Sequence, residues 1–153
     1  MTASVTVRLA TPEDAAALSS LVLRTLHEVN TKDYGPALIA ALAKDWTVDG
    51  MLAKMRDRTT YVAIHDDAII GTAGFDGEQI RSVFVRPDQH KIGVGSLLVR
   101  TVETLALKQG LNRLSVLSSI TAEGFYRRLG YSAVRDVFHG AERTILMEKQ
   151  LNS

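Results

Sequence analysis

Cysteine is absent from this chain of 153 residues, which excludes disulfides, a thiolate nucleophile and thiolate metal ligation. Long apolar runs are missing too. No stretch approaches the roughly 20 residues needed to span a bilayer, and the opening Met1-Thr2-Ala3-Ser4-Val5 lacks the charged-then-apolar order of a signal peptide. Neither sign of charge dominates: 18 basic and 17 acidic residues leave a formal net charge of +1, with no basic run of the kind a nucleic-acid surface needs. His27, His65, His90 and His139 are scattered, without an H-x-x-x-H pair, so no metal site is expected. These absences lead to the expectation of a cytoplasmic protein that binds neither nucleic acid nor membrane.

What is present is the composition of a globular domain, 46% hydrophobic and 23% charged, long enough for one substantial core over residues 1–153. Val5, Val7 and Leu9 alternate as a half-buried strand would. Thr11-Pro12-Glu13-Asp14 reads as a helix start with Thr11 at the N-cap, and the helical spacing runs to about Leu26. Further helices are predicted from Pro36 to about Ala43 and from Val48 to Met55. Strands are predicted over Tyr61–Ile64 and Ala68–Phe75 around an Asp66-Asp67 hairpin turn, then over Glu78–Val85. A helix carrying Val94, Leu98, Val102 and Leu105 on one face stops near Gly110. Strand Arg113–Leu117, helix Ala122–Leu129 and strands Tyr131–Phe138 and Thr144–Met147 complete the chain. The order β-α-α-β-β-β-α-β-α-β-β, without repeat or linker, points to one mixed α/β (α+β) domain.

The segment Val85-Arg86-Pro87-Asp88-Gln89-His90-Lys91-Ile92-Gly93-Val94-Gly95 joins an apolar strand to an amphipathic helix. Two glycines at a helix start turn several main-chain N–H groups and the positive end of the helix dipole toward one point, which suits a diphosphate. It is not a G-x-x-x-x-G-K-[ST] phosphate loop, because neither glycine is followed by Lys-Ser or Lys-Thr. Nor is it a dinucleotide fingerprint, because Leu98 stands where the third glycine belongs. Taken alone, the glycine pair also fits a plain tight helix entry.

A second segment narrows the reading. Ser119-Ile120-Thr121-Ala122-Glu123-Gly124-Phe125-Tyr126-Arg127-Arg128-Leu129-Gly130-Tyr131 follows the next strand and ends in Gly-aromatic. Together with Val83-Phe84-Val85-Arg86-Pro87 and His90-x-x-Gly93-x-Gly95, it resembles the GNAT superfamily of N-acetyltransferases, by motif over about residues 60 to 131 and by element order over the whole chain. The resemblance implies a mostly antiparallel sheet of about seven strands flanked by helices. It also implies acetyl-CoA as co-substrate: Val83, Phe84 and Val85 pair through their main chain with its pantetheine arm, and His90, Lys91, Ile92, Gly93, Val94, Gly95 and Ser96 surround its pyrophosphate. His90 departs from the Gln or Arg of the family pattern, and Lys91-Ile92 from its usual small-basic pair. Ser119 stands where the family often has a cofactor-contacting asparagine; a helix-start role is its alternative.

Tyr126 falls where many members place a tyrosine near the cofactor sulfur. A phenol of ordinary pKa about 10 is protonated at neutral pH and can serve a departing thiolate, whereas packing beneath the sheet is the plainer role. The general base is less well marked. The family's catalytic glutamate aligns with Gln79, which accepts no proton, and Glu78 beside it would need a bulge to face the same way; His27, Glu28 and Asp33 are the alternatives. Trp46 and Tyr34 fit either helix packing or an acceptor pocket. The implied function is acetyl transfer to a primary amine, on a small molecule or a peptide, by direct attack through a tetrahedral intermediate. A CoA-binding regulatory module that has lost turnover, and a transferase of longer acyl groups, remain alternatives. A homodimer through the C-terminal strands would also follow the family's habit.

Overall fold

Asp66 and Asp67 both take positive φ, 51° and 62°, the backbone that a two-residue hairpin turn requires and that aspartate tolerates. They join β2 (Thr59–His65) to β3 (Ala68–Phe75), with His65 paired to Ala68. The computed structural model, which describes residues 4–88 and 93–151, builds outward from this hairpin. β1 (Thr6–Leu9) pairs antiparallel with β2, and β4 (Gln79–Val85) antiparallel with β3. β5 (Arg113–Ser119) pairs antiparallel with β7 (Glu142–Gln150), which carries β6 (Ser132–His139) at the far edge. The seven strands thus run in the order β1-β2-β3-β4-β5-β7-β6, and only β4 and β5 are parallel neighbours.

Strand alternation divides the core between two faces. Val62 packs with Leu18, Val22 and Leu26 of α1 (Ala15–Glu28), Ile39 of α2 (Pro36–Ala43) and Met51 of α3 (Val48–Asp57). The next residue, Ala63, packs instead with Leu98, Val99, Val102 and Ala106 of α4 (Val94–Lys108). Tyr126 of α5 (Glu123–Arg128) belongs to this second cluster.

The expected elements are present, with a few shifts. α1 opens through a 3-10 turn, Pro12–Asp14, in which Asp14 accepts from the Thr11 N–H at 2.8 Å and from Arg8 Nη1 at 2.8 Å. α3 runs two residues past the expected end, adding a third full helix to the order, with Thr47 capping it through the Gly50 N–H at 3.1 Å. Leu9 is 57% exposed despite sharing the face of Val5 and Val7. It ends an edge strand, and the α4 cluster against which Val5 and Val7 pack does not reach it.

Candidate functional site

The parallel neighbours β4 and β5 hold together over two pairs only, Gln79 with Ser115 and Ile80 with Val116. Both strands then continue, β4 to Val85 and β5 to Ser119, without pairing. The gap between the diverging ends opens into a cavity of about 700 Å³, within the range of small-ligand sites. Val83, Phe84 and Val85 form one wall and Ser118, Ser119 and Tyr126 the opposite one. Thr25, Tyr34 and Trp46 of the N-terminal helical layer close the far end.

A bulge shapes the β4 wall. Thr72 pairs with Phe84 but Gly74 with Arg81, so three steps on β4 face two on β3. Ser82 lies inside the bulge with φ 57°, a left-handed conformation that costs a residue other than glycine about 1 kcal/mol or more. Beyond the bulge the Arg86 N–H donates to Ile70 O at 2.8 Å. By alternation the main chain of Phe84 faces β3, and that of Val83 faces the cavity. Side chains alternate likewise: Val83 and Val85 pack toward α4, and Phe84 toward the α1 layer, where its ring meets Trp46 edge-on at 5.4 Å.

The two glycines ahead of and within α4 serve different ends. Gly93 caps the helix at φ 76° with nothing within 4 Å of a would-be Cβ, so its requirement is conformational. Gly95 is a matter of space: a Cβ there would stand 2.9 Å from Phe125 Cε1. Phe125 in turn stacks edge-on against Tyr126 at 5.0 Å, and Tyr126 against Tyr131 at 5.7 Å. Tyr126 is 4% exposed, and burial holds its phenol above the ordinary value of 10. Its hydroxyl forms no hydrogen bond among the described residues, although its ring lines the cavity.

The end wall carries charge. Arg58, just after α3, is half-buried and donates from Nη1 to Ser82 Oγ at 3.0 Å. Lys54 Nζ donates to the Asp45 carbonyl at 2.7 Å and sits 4.5 Å over the Trp46 ring. Burial pushes both cations' pKa values down. Tyr34 is 5% exposed; its hydroxyl donates to Arg143 O at 2.7 Å and accepts from the Ile120 N–H at 2.9 Å. That one side chain fastens the helical layer to β7 and to the end of β5.

The structure brings together some of the expected residues and not others. Val83, Phe84, Val85, Gly95, Ser119 and Tyr126 line the cavity. Ser119 Oγ accepts from the Ala122 N–H at 3.1 Å, the helix-start alternative, while still facing the cavity. Gly93, Val94 and Ser96 form the first turn of α4, with the Val94 side chain buried in the core, which leaves its main chain alone to face a ligand. His90, Lys91 and Ile92 lie outside the described residues.

Glu78 needs correcting. It is exposed in the β3–β4 turn, where its N–H donates to Asp76 Oδ1 at 2.9 Å, and it does not line the cavity. The bulge that could have redirected it comes four residues later, at Ser82. His27, Glu28 and Asp33 are exposed as well and do not reach the cavity. The titratable groups that do include Asp45, Arg58, His139 and Glu142, which the sequence reading missed. One signal was available: in Ile80-Arg81-Ser82-Val83-Phe84-Val85 the apolar parity slips by one residue between Ile80 and Val83, as a bulge demands. Among the described residues no cluster of three or more His, Asp or Glu could hold a metal ion, and no helix is long and apolar enough to cross a membrane.

Known proteins share this architecture. A family model described as "Acetyltransferase (GNAT) domain" matches residues 30–151. A curated protein of Bacillus subtilis (strain 168), named as a candidate acetyltransferase, is 27% identical over 82 residues, covering 50% of this chain and 55% of that protein. The chain therefore spans about half the length of the curated relative it matches. A GCN5-related N-acetyltransferase from Rhodopseudomonas palustris superposes with a TM-score of 0.92 at 25% identity over 99% of both chains. The PaiA N-acetyltransferase of Thermoplasma acidophilum, solved in complex with coenzyme A, superposes with a TM-score of 0.83 at 16% identity, over 96% of this chain and 99% of that one. The matched span takes in both walls of the splayed cleft and the helix that opens beside it, and the chain belongs to the GNAT acetyltransferase family.

Proposed function

We propose that the chain transfers an acetyl group from acetyl-CoA to a primary amine by direct attack. One observation carries the reading: at the point where β4 and β5 part, a cavity-facing main chain, bulged at Ser82, shares the cavity lining with Tyr126. The cleft suits an extended thioester arm. At Val83–Val85 its β4 wall offers strand-like main chain, and the glycine-started helix α4 opens beside it for a diphosphate. Acetyl-CoA, when bound, supplies the activated carbonyl and a thiolate leaving group.

The protein's part is positional and electrostatic. The Val83 main chain faces the place where the carbonyl oxygen would lie, and a fixed N–H there stabilises charge as it develops. The apolar walls of Phe84, Trp46 and Val85 hold amine and thioester in attack geometry with little water between them. Tyr126 keeps its proton at neutral pH, because burial favours the uncharged phenol. With a pKa above 10, that phenol gives a hydrogen bond to a thiolate more readily than it surrenders its proton. Asp45, His139 and Glu142 line the cavity and are the groups that could take the amine proton through water.

The test is release of free thiol from acetyl-CoA across an amine panel, with Tyr126→Phe as the diagnostic variant. Losing a hydrogen bond to a charged sulfur should lower kcat roughly 10- to 100-fold, with acetyl-CoA affinity by calorimetry unchanged. A Tyr126→Phe enzyme within twofold of the parent would remove Tyr126 from the mechanism. Tight acetyl-CoA binding with no thiol release from any amine would favour a CoA-binding regulatory module instead.

A further inference from the structure

We infer that the acceptor is a primary amine that also carries an oxyanion, carboxylate or phosphate, and that Arg58 selects it. The inference rests on the acetyl-transfer reading and adds the chemical class of its acceptor.

Arg58 is the half-buried guanidinium of this cavity that is fixed beside the β4 bulge, through its hydrogen bond to Ser82. Arg81 lines the same space but pairs with Asp76 at 2.8 Å. Arg8, Arg86 and Arg143 likewise carry acidic partners, at 2.8, 2.7 and 3.0 Å. Arg58 has none among the described residues; its guanidinium gives one hydrogen bond, to the neutral Ser82 hydroxyl. Burial and then the neighbouring Arg81 charge work against its ionised form, while Asp76 and Asp57, neither within ion-pair distance, offset part of this. A half-buried guanidinium in an open cavity, with N–H groups still to satisfy, is completed by a planar oxyanion that accepts two parallel bonds.

Lys54 adds to the same wall. Its ammonium is held by a main-chain carbonyl rather than a carboxylate contact, over the face of Trp46.

Position sets the size of the acceptor. The hydroxyl that anchors Arg58 belongs to Ser82, next in the chain to Val83, whose main chain faces the reacting carbonyl. An anion on Arg58 and an amine at the thioester therefore lie a few bonds apart, within one small molecule. The cavity of about 700 Å³ must also take the thioester arm, which leaves no room for a folded substrate at this depth.

The experiment uses matched acceptors and free-thiol release from acetyl-CoA. The pairs are L-phenylalanine against L-phenylalaninamide, β-alanine against β-alaninamide, and phosphoethanolamine against ethanolamine. The parent enzyme should prefer the anionic member of at least one pair by about 10-fold or more in kcat/KM; whether carboxylates or the phosphate show it identifies the oxyanion. Arg58→Gln should collapse that preference to within about threefold, and Arg58→Lys, which keeps charge without the fork, should restore part of it. Acetyl-CoA affinity by calorimetry shows that each variant is folded. Preference for the neutral member in every pair, or a preference that survives Arg58→Gln, overturns the inference while acetyl transfer stands. No turnover of any amine by the parent defeats the acetyl-transfer reading itself.

Discussion

Replacing Tyr34 by phenylalanine removes one oxygen and keeps the ring, which isolates the two hydrogen bonds that tie the helical layer to the C-terminal strands. The hydroxyl donates to Arg143 O at 2.7 Å and accepts from the Ile120 N–H at 2.9 Å, at a side chain only 5% exposed. Each main-chain group left without a partner in such surroundings costs about 1–3 kcal/mol. Water reaching in from the adjoining cavity offsets part of this, so the total should be about 2–4 kcal/mol. For a chain of this length 1 kcal/mol corresponds to about 2–4 °C in Tm, and Tyr34→Phe should melt roughly 5–15 °C lower by circular dichroism. On the reading proposed above, the helical-layer wall that Tyr34 belongs to takes the acceptor. The amine KM should therefore rise while the calorimetric acetyl-CoA affinity holds. A Tm within 2 °C of the parent would refute the claim that this hydroxyl bridges the two parts of the fold.

Two further outcomes follow from local geometry. Gly95→Ala places a methyl 2.9 Å from the Phe125 ring, which must shift and drag Tyr126 with it, so thiol release should fall more than about 5-fold for a Tm loss of only a few degrees; equal activity would mean that the ring moves freely. The Asp14 carboxyl is held below its ordinary 3.8 first by the Arg8 hydrogen bond and then, against burial, by the Thr11 N–H. A carboxyl with a depressed folded-state pKa contributes its stability in full above the unfolded value and loses it as pH falls through the folded one. Thermal melts from pH 7 to pH 3 should accordingly drop more steeply below about pH 4 for the parent than for Asp14→Asn, and parallel curves would remove Asp14 from the acid response.

The elements that local chemistry dictates were legible from the sequence. Pro36 at a helix start and the Asp66-Asp67 turn set the bounds of α2 and β3, because proline geometry and a two-residue hairpin leave little freedom. The glycine start of α4 and the place of Tyr126 beside the cavity follow from spacing within one segment in the same way. Glu78 depended on a bulge beside it, and the bulge of β4 falls at Ser82 instead, which no local spacing around Glu78 announces. Arg58 and Ser82 were missed because their meeting depends on the registers of β2 against β3 and of β3 against β4, which no window of sequence contains. Tyr34 was legible as an aromatic residue of the helical layer, but not as a clasp, since its two partners lie 86 and 109 residues away.

The contact between Arg58 and Ser82 makes two properties of the site mechanically inseparable. One end of it presents a cation to whatever enters from the helical side, and the other steadies a backbone twist that a serine would otherwise tend to release. If Arg58 selects the acceptor as inferred, a change there also loosens the strand edge proposed to polarise the carbonyl, and preference and rate are not tuned separately. Substitutions at 58 and 82 should combine non-additively, and a change of acceptor in this scaffold would have to begin elsewhere on the wall, at Lys54 or Trp46, where the backbone of β4 is not at stake.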